Sequence, residues 1–330
     1  MTLTQQEFTA LCASHGFGAH AGVLLPWLRP RVGFSRRAEA DAPIGASRIG
    51  GGPDVPAGFA WPTHEGRALD FLLQINLADL QGLQCGLDLP AQGVLSFFYD
   101  TDTQPWGYDP ADRSGHGIRL FDADGLQRLP APDAEAALAP SALAFHQAWS
   151  LPHPFSSKGE DVAQALRDAG LGWDDAAEEG YYALVEDIAD LGSPTPGERR
   201  GMGGWSHNVQ GDMALEAQLV SHGLYCGDPS GYGDPRAAAL AAGVADWTLL
   251  LQLDSDDEAM WGDSGMLYAW VRRQDLTAQD LSQTILALSQ RAEALAATAR
   301  EAELEELATQ AHALHQRLQA IGKKLAKVGS

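Results

Sequence analysis

Phe71-Leu72-Leu73-Gln74-Ile75-Asn76-Leu77 is followed, after a loop, by Gly93-Val94-Leu95-Ser96-Phe97-Phe98-Tyr99. The same layout returns as Leu249-Leu250-Leu251-Gln252-Leu253-Asp254 and then Gly265-Met266-Leu267-Tyr268-Ala269-Trp270-Val271. Short apolar and aromatic runs bounded by glycine and aspartate read as buried β-strands. Each copy has a Leu-Leu-Gln-aliphatic-Asn/Asp run, a turn-rich insert, and a glycine (Gly93, Gly265) leading into the second run. Gln74 and Gln252 put an amide among apolar neighbours. A buried amide needs several hydrogen-bond partners, so both read as residues that pin a sheet. The repetition predicts an internal duplication. The expected fold class is therefore α+β, built from two related, mainly antiparallel β units at about 45–130 and 200–276.

Outward from this core, residues 1–40 read as a helical segment. Thr4 with Glu7 three residues on is a capping-box signature, and Phe8, Leu11 and Cys12 follow it. Asp122-Ala123-Asp124-Gly125 reads as a hairpin turn between 118–121 and 126–129. Residues 159–169 and 173–188 read as helices. Beyond 276 the pattern changes: Leu281, Ile285, Leu288, Ala292 and Leu295 fall at helical spacing, and a second stripe runs from Leu304 to Leu325. Residues 277–330 are thus expected to be a helical extension, either a hairpin or a dimeric coiled coil.

Glycine and proline dominate the stretch ahead of the first core run. Gly50-Gly51-Gly52 lacks both the GxxxxGK[ST] pattern and a GxGxxG set between strand and helix, so it reads as structural spacing, with Gly52-Pro53 fixing a turning path. Here the chain resembles a known family. Arg48-Ile49-Gly50-Gly51-Gly52-Pro53-Asp54-Val55-Pro56, then Trp61-Pro62 and the 71–77 run, are similar to the opening motif of the YwqG-like family. Leu89-Pro90-Ala91-Gln92-Gly93 into Val94-Leu95-Ser96-Phe97-Phe98, the segment from His207 to Met213, and the run from Trp247 to Trp270 with Met260-Trp261-Gly262-Asp263 continue the likeness. It covers about residues 45–276 of a domain 41–276. The family is a bacterial domain of unknown function, so the resemblance implies a fold and no catalytic residues. It also implies an association with secreted toxins.

The 330 residues carry 44 acidic and 22 basic side chains, a formal net charge of −22. So acidic a chain is repelled by phosphate backbones, which argues against general nucleic-acid or anionic-membrane binding. No run approaches the roughly 18 apolar residues of a membrane span, and the first residues lack a signal-peptide layout. Three widely spaced cysteines suggest no disulfide framework. The expected location is cytoplasmic.

Chemistry is sparsely signalled. Gly262-Asp263-Ser264-Gly265 matches the string around a serine-protease nucleophile, but only over four residues and without context, so it reads as a turn. Asp254, Asp256, Asp257, Glu258 and Asp263 form the densest carboxylate cluster, without EF-hand spacing. His207, His222, Cys226 and Asp228 lack chelating spacing. No metal or cofactor is expected. Trp61, Trp205, Trp261 and His207 are candidate interface or pocket residues. The leading expectation is a non-enzymatic interaction protein, of immunity type, whose acidic face neutralises a basic protein such as a toxin, as a monomer or a dimer through its C-terminal helices. The competing one is an enzyme or small-ligand protein using a loop-lined pocket between the two β units.

Overall fold

A computed structural model describes residues 3–38, 42–135, 137–209 and 211–289. Ten strands form one sheet: β1 (Arg29–Arg36), β2 (Arg48–Ile49), β3 (Asp70–Asn76), β4 (Val94–Tyr99), β5 (His116–Phe121), β6 (Ser141–Ser150), β7 (Gly201–Met202), β8 (Trp247–Asp254), β9 (Met266–Arg272) and β10 (Ile285–Ser289). Their order is β10-β9-β8-β7-β1-β6-β2-β3-β4-β5, and every pairing is antiparallel. The mixed helix-and-sheet class expected from the sequence is what the chain adopts.

The sheet curls because one of its faces buries a single core. Val32, Phe34, Leu73, Ile75, Leu95, Phe97, Tyr99, Leu251, Leu253, Leu267, Leu286 and Leu288 belong to one cluster that draws on both ends of the strand order. Alternation along each strand sends every second residue there. The ends nearly meet: His116 Nε2 lies 2.8 Å from the Thr284 carbonyl, and the Leu288 N–H donates to the Trp106 carbonyl. Gly107 allows this approach, since a β-carbon there would meet the Leu286 oxygen at 2.0 Å.

The two core runs are hairpins in this sheet, with matching registers. Gln74 pairs with Ser96 and faces Arg48; Gln252 pairs with Tyr268 and faces Gly201. Each central strand has an irregularity beside its Gln, between Phe71 and Leu73 and between Leu249 and Leu251. After each two-residue strand come two glycines with positive φ, Gly50 (69°) and Gly51 (70°), Gly203 (68°) and Gly204 (69°). Only glycine adopts such consecutive left-handed turns readily.

Four longer helices complete the described chain: α1 (Gln5–Ser14), α2 (Ser157–Asp168), α3 (Asp175–Asp190) and α4 (Met213–Ser221). The expected capping box is present on α1, with Thr4 accepting from the Glu7 N–H and Glu7 accepting from the Thr4 N–H. Phe8, Leu24, Val162, Leu166, Tyr181, Leu184 and Ile188 join α1, α2 and α3 in a second core. A third lies under α4 on the outer face of β8 and β9, where Leu249, Tyr268 and Trp270 point.

Three expectations fail. Residues 1–40 are not helical throughout: Arg29–Arg36 is β1, paired with β6 and β7 in the middle of the sheet, where Val32 and Phe34 enter the main core. The turn at 122–125 does not make a hairpin: β5 ends at Phe121, and Leu126–Arg128 pairs instead with Asp54–Pro56. The helical reading from 277 onward is wrong over its first part. A helix runs only over Arg273–Thr277, and Ile285–Ser289 is a strand on β9. Ile285, Leu286, Ala287 and Leu288 are all buried, with Leu286 and Leu288 in the main core and Ile285 in the outer one. A short, wholly apolar run satisfies helical spacing and a two-sided strand equally well, and the open edge of β9 decides. The remaining stripe from Ala292 lies outside the described residues. Among them, no helix is long and apolar enough to cross a membrane.

Candidate functional site

The sequence-chosen acidic loop is divided by the fold. Asp254 is buried, its Oδ2 accepting from the Arg199 N–H. Asp256 accepts from Arg36 Nε at 2.8 Å and from Arg200 at 2.7 Å. Burial pushes the Asp256 pKa up, but the Arg36 hydrogen bond and the charges of Arg200 and Arg36 outweigh it, so the carboxyl sits below its ordinary value. Asp257, Glu258 and Asp263 are exposed, as is Met260. Ser264 sits in the turn before β9, with φ of 53°.

The three tryptophans go to different places. Trp261 is buried in the main core, edge-on to Tyr99. Trp61 packs with Phe59 and Phe98 and donates to the Leu69 carbonyl. Trp205 lies on the outer side of the sheet, fixed by its N–H to Ser150 Oγ (2.8 Å) and its Nε1 to the Trp27 carbonyl (2.7 Å). The Arg29 guanidinium stacks on its ring, 3.4 Å from the centroid.

Trp205 and Arg29 open a groove of about 530 Å³ between the start of α2, α4 and the outer face of β8 and β9. Its walls include Lys158, Asn208, Trp247, Trp270 and Arg273. The volume falls in the range of small-molecule sites. Burial, and next the charge of Arg273, lower the Arg29 pKa to about 10, so two guanidinium groups repel each other here. Neither makes an ion pair among the described residues, whereas Lys158 holds Asp161. Asp212, the carboxylate in the lining, caps α4 by accepting from the Ala214 and Leu215 N–H groups.

Behind the Trp205 segment stands a second constellation. Ser206 and Asn208 line the groove, whereas His207 lies beside His153 and Glu186. Their ligand-capable atoms all lie within 4.8 Å of one another, and His207 Nε2 is 3.2 Å from Glu186 Oε1. Glu186 Oε2 pairs with Arg199, which also holds Asp190. Three elements supply the donors: His153 follows β6, Glu186 is on α3, and His207 follows β7.

Sequence reading thus found Trp205 and His207 and missed Arg29, Arg273, Trp247, Trp270, His153 and Glu186 as site residues. Gln210, within the His207–Met213 motif, lies outside the described residues. Among the glycines named from the sequence, Gly93 accepts from the Leu77 N–H, Gly265 accepts from Ser255, and a side chain at Gly52 would collide with the Leu129 carbonyl, before Pro53.

A comparison with curated proteins finds no match. A family model, described as "Domain of unknown function (DUF1963)", matches residues 47–289. That span reaches past the expected boundary at 276 and takes in β10. The YwqG-like resemblance is consistent with it, and the chain belongs to this DUF1963 family.

Proposed function

We propose that this protein binds a small organic anion with a flat apolar portion in the groove bounded by Arg29, Trp205, Trp270 and Arg273. One observation carries the reading: in a chain with 44 acidic and 22 basic residues, two neighbouring arginines face a tryptophan-walled groove without a carboxylate partner among the described residues. Arginine presents a planar fork suited to carboxylate or phosphate and stacks on flat rings. The start of α2 adds N–H groups of the same polarity. No histidine, cysteine or glutamate lines the groove among the described residues, which favours binding over chemistry.

The test is fluorescence titration with an aromatic sulfonate probe, read from tryptophan quenching, on the wild type and on Arg29→Gln/Arg273→Gln. Saturable binding that the double variant loses by at least about tenfold is the expected result. Equal binding by both proteins would end the proposal.

A second reading rests on the loop tip. Met260 is 58% exposed and flanked by the exposed Asp257, Glu258 and Asp263, a small apolar contact ringed by negative charge. It suits a basic protein partner and so an immunity-type role. For the architecture, we propose that the two half-sheets derive from a duplicated unit. The matched registers of Gln74 and Gln252 and the paired Gly-Gly turns support this.

A further inference from the structure

We infer that His153, Glu186 and His207 form a binding site for a divalent metal ion, and that zinc is the ion their donor set suits best. The inference is independent of the anion groove. Two imidazole nitrogens and one carboxylate oxygen match zinc in softness and number, with a fourth position left for water. Donors about 2.0–2.2 Å from a tetrahedral ion lie roughly 3.3–3.6 Å apart. The present set, within 4.8 Å, therefore needs only a small inward movement of side chains.

The donors are held from behind. The His207 N–H donates to Gln252 Oε1 at 3.0 Å, and its carbonyl accepts from Tyr268 at 2.7 Å. The His153 carbonyl accepts from the Ser156 N–H at 3.0 Å and Ser156 Oγ at 2.7 Å, at the cap of α2. Glu186 is carried on α3, whose Tyr181, Leu184, Val185 and Ile188 face is buried.

His153 provides the second observation. Its residue is 1% exposed, and Nε2 has no hydrogen-bond partner among the described residues. Leaving such an atom unsatisfied is costly, and an ion between the three side chains would satisfy it.

Two features oppose binding, and neither is sufficient. Arg199 brings a positive charge, but it sits between Glu186 and Asp190; two negative charges and one positive leave −1 beside the ion. It also occupies Oε2, which directs Oε1 toward His207. The Phe155 N–H donates to His153 Nδ1 at 3.3 Å, so without metal the ring proton is on Nε2. Coordination through Nε2 shifts that proton to Nδ1 and gives up a bond that is already long. The Glu186 side chain is 27% exposed overall, while its Oε1 is buried against the two imidazoles.

The experiment titrates the metal-stripped full chain with cobalt(II), whose visible bands intensify in four-coordinate sites, and then measures zinc affinity by competition with a chromophoric chelator. One ion per chain is expected. Glu186→Gln and His207→Ala should each weaken binding at least as much as the roughly 10–100-fold lost with an outer-shell partner, while His222→Ala leaves it unchanged. Because His153→Ala empties a buried position, the conservative Glu186→Gln variant, with its fold checked by circular dichroism, decides. Absence of a stoichiometric site in the wild type, or wild-type affinity in either Glu186→Gln or His207→Ala, overturns the assignment. Loss of binding in His222→Ala also overturns it, because the ion would then sit elsewhere.

Discussion

Gln74 and Gln252 are both fully buried, and each ties a central strand to the segments that flank its short neighbour. Gln74 accepts from the Asp54 N–H and donates to the Ala46 carbonyl and Asp54 Oδ2; Gln252 accepts from the His207 N–H and donates to the Arg199 carbonyl. Their role was legible because an amide inside an apolar run admits few other readings. The company of Asp54 was not. Burial pushes its pKa up, but hydrogen bonds from Arg128, the Gly45 N–H and Gln74 hold it below the ordinary carboxylate value. Gln74→Leu leaves the Asp54 N–H and the Ala46 carbonyl without their partner, so a loss of about 1–3 kcal/mol is expected for each group left unsatisfied. Urea denaturation reads it directly; a change under about 0.5 kcal/mol, typical of surface positions, would mean that the amide pins nothing.

At the scale of elements, apolar periodicity placed the central strands and the helices α1, α2 and α3, because those runs are long or capped. It failed at 281–289, where Leu281, Ile285 and Leu288 repeat at 4 and 3 residues and also fit a strand. The sequence could not reveal that β9 would otherwise end the sheet with unpaired N–H and C=O groups. Nor could it reveal that Arg29 of β1 meets Trp205, or that His153 after β6 and Glu186 of α3 meet His207, since these contacts depend on strand order. The consequence is testable by truncation. A chain ending at residue 289 keeps every described strand. One ending at 277 loses β10, exposes the β9 edge and uncovers Trp106 and Leu267 in the core. The shorter chain should aggregate or unfold at a clearly lower temperature, as followed by size exclusion and thermal denaturation. Equal behaviour of the two truncations would show β10 to be dispensable.

At the scale of the whole molecule, the net charge of −22 divides into carboxylates that hold the fold and carboxylates that face solvent. The 254–263 loop contains both kinds within a few residues. Asp256 is shared by Arg36 and Arg200, from β1 and the lead into β7, so it fastens the loop to the sheet. Asp256→Asn weakens two charged contacts of a mostly buried group, and a loss of about 2 kcal/mol or more is expected. Asp257→Asn/Glu258→Gln/Asp263→Asn touches only exposed groups and should leave stability within about 0.5 kcal/mol. If the loop tip steers a basic partner, the triple variant should associate more slowly with it, and the difference should fade as salt rises, since exposed charges are screened beyond about 10 Å at 0.1 M. The two variants therefore separate folding from recognition: one lowers the melting temperature at any salt, the other lowers capture of a partner from the host only at low salt. A triple variant that retains the same proteins as the wild type at low salt would remove the tip as a recognition site and leave these charges a role in solubility alone.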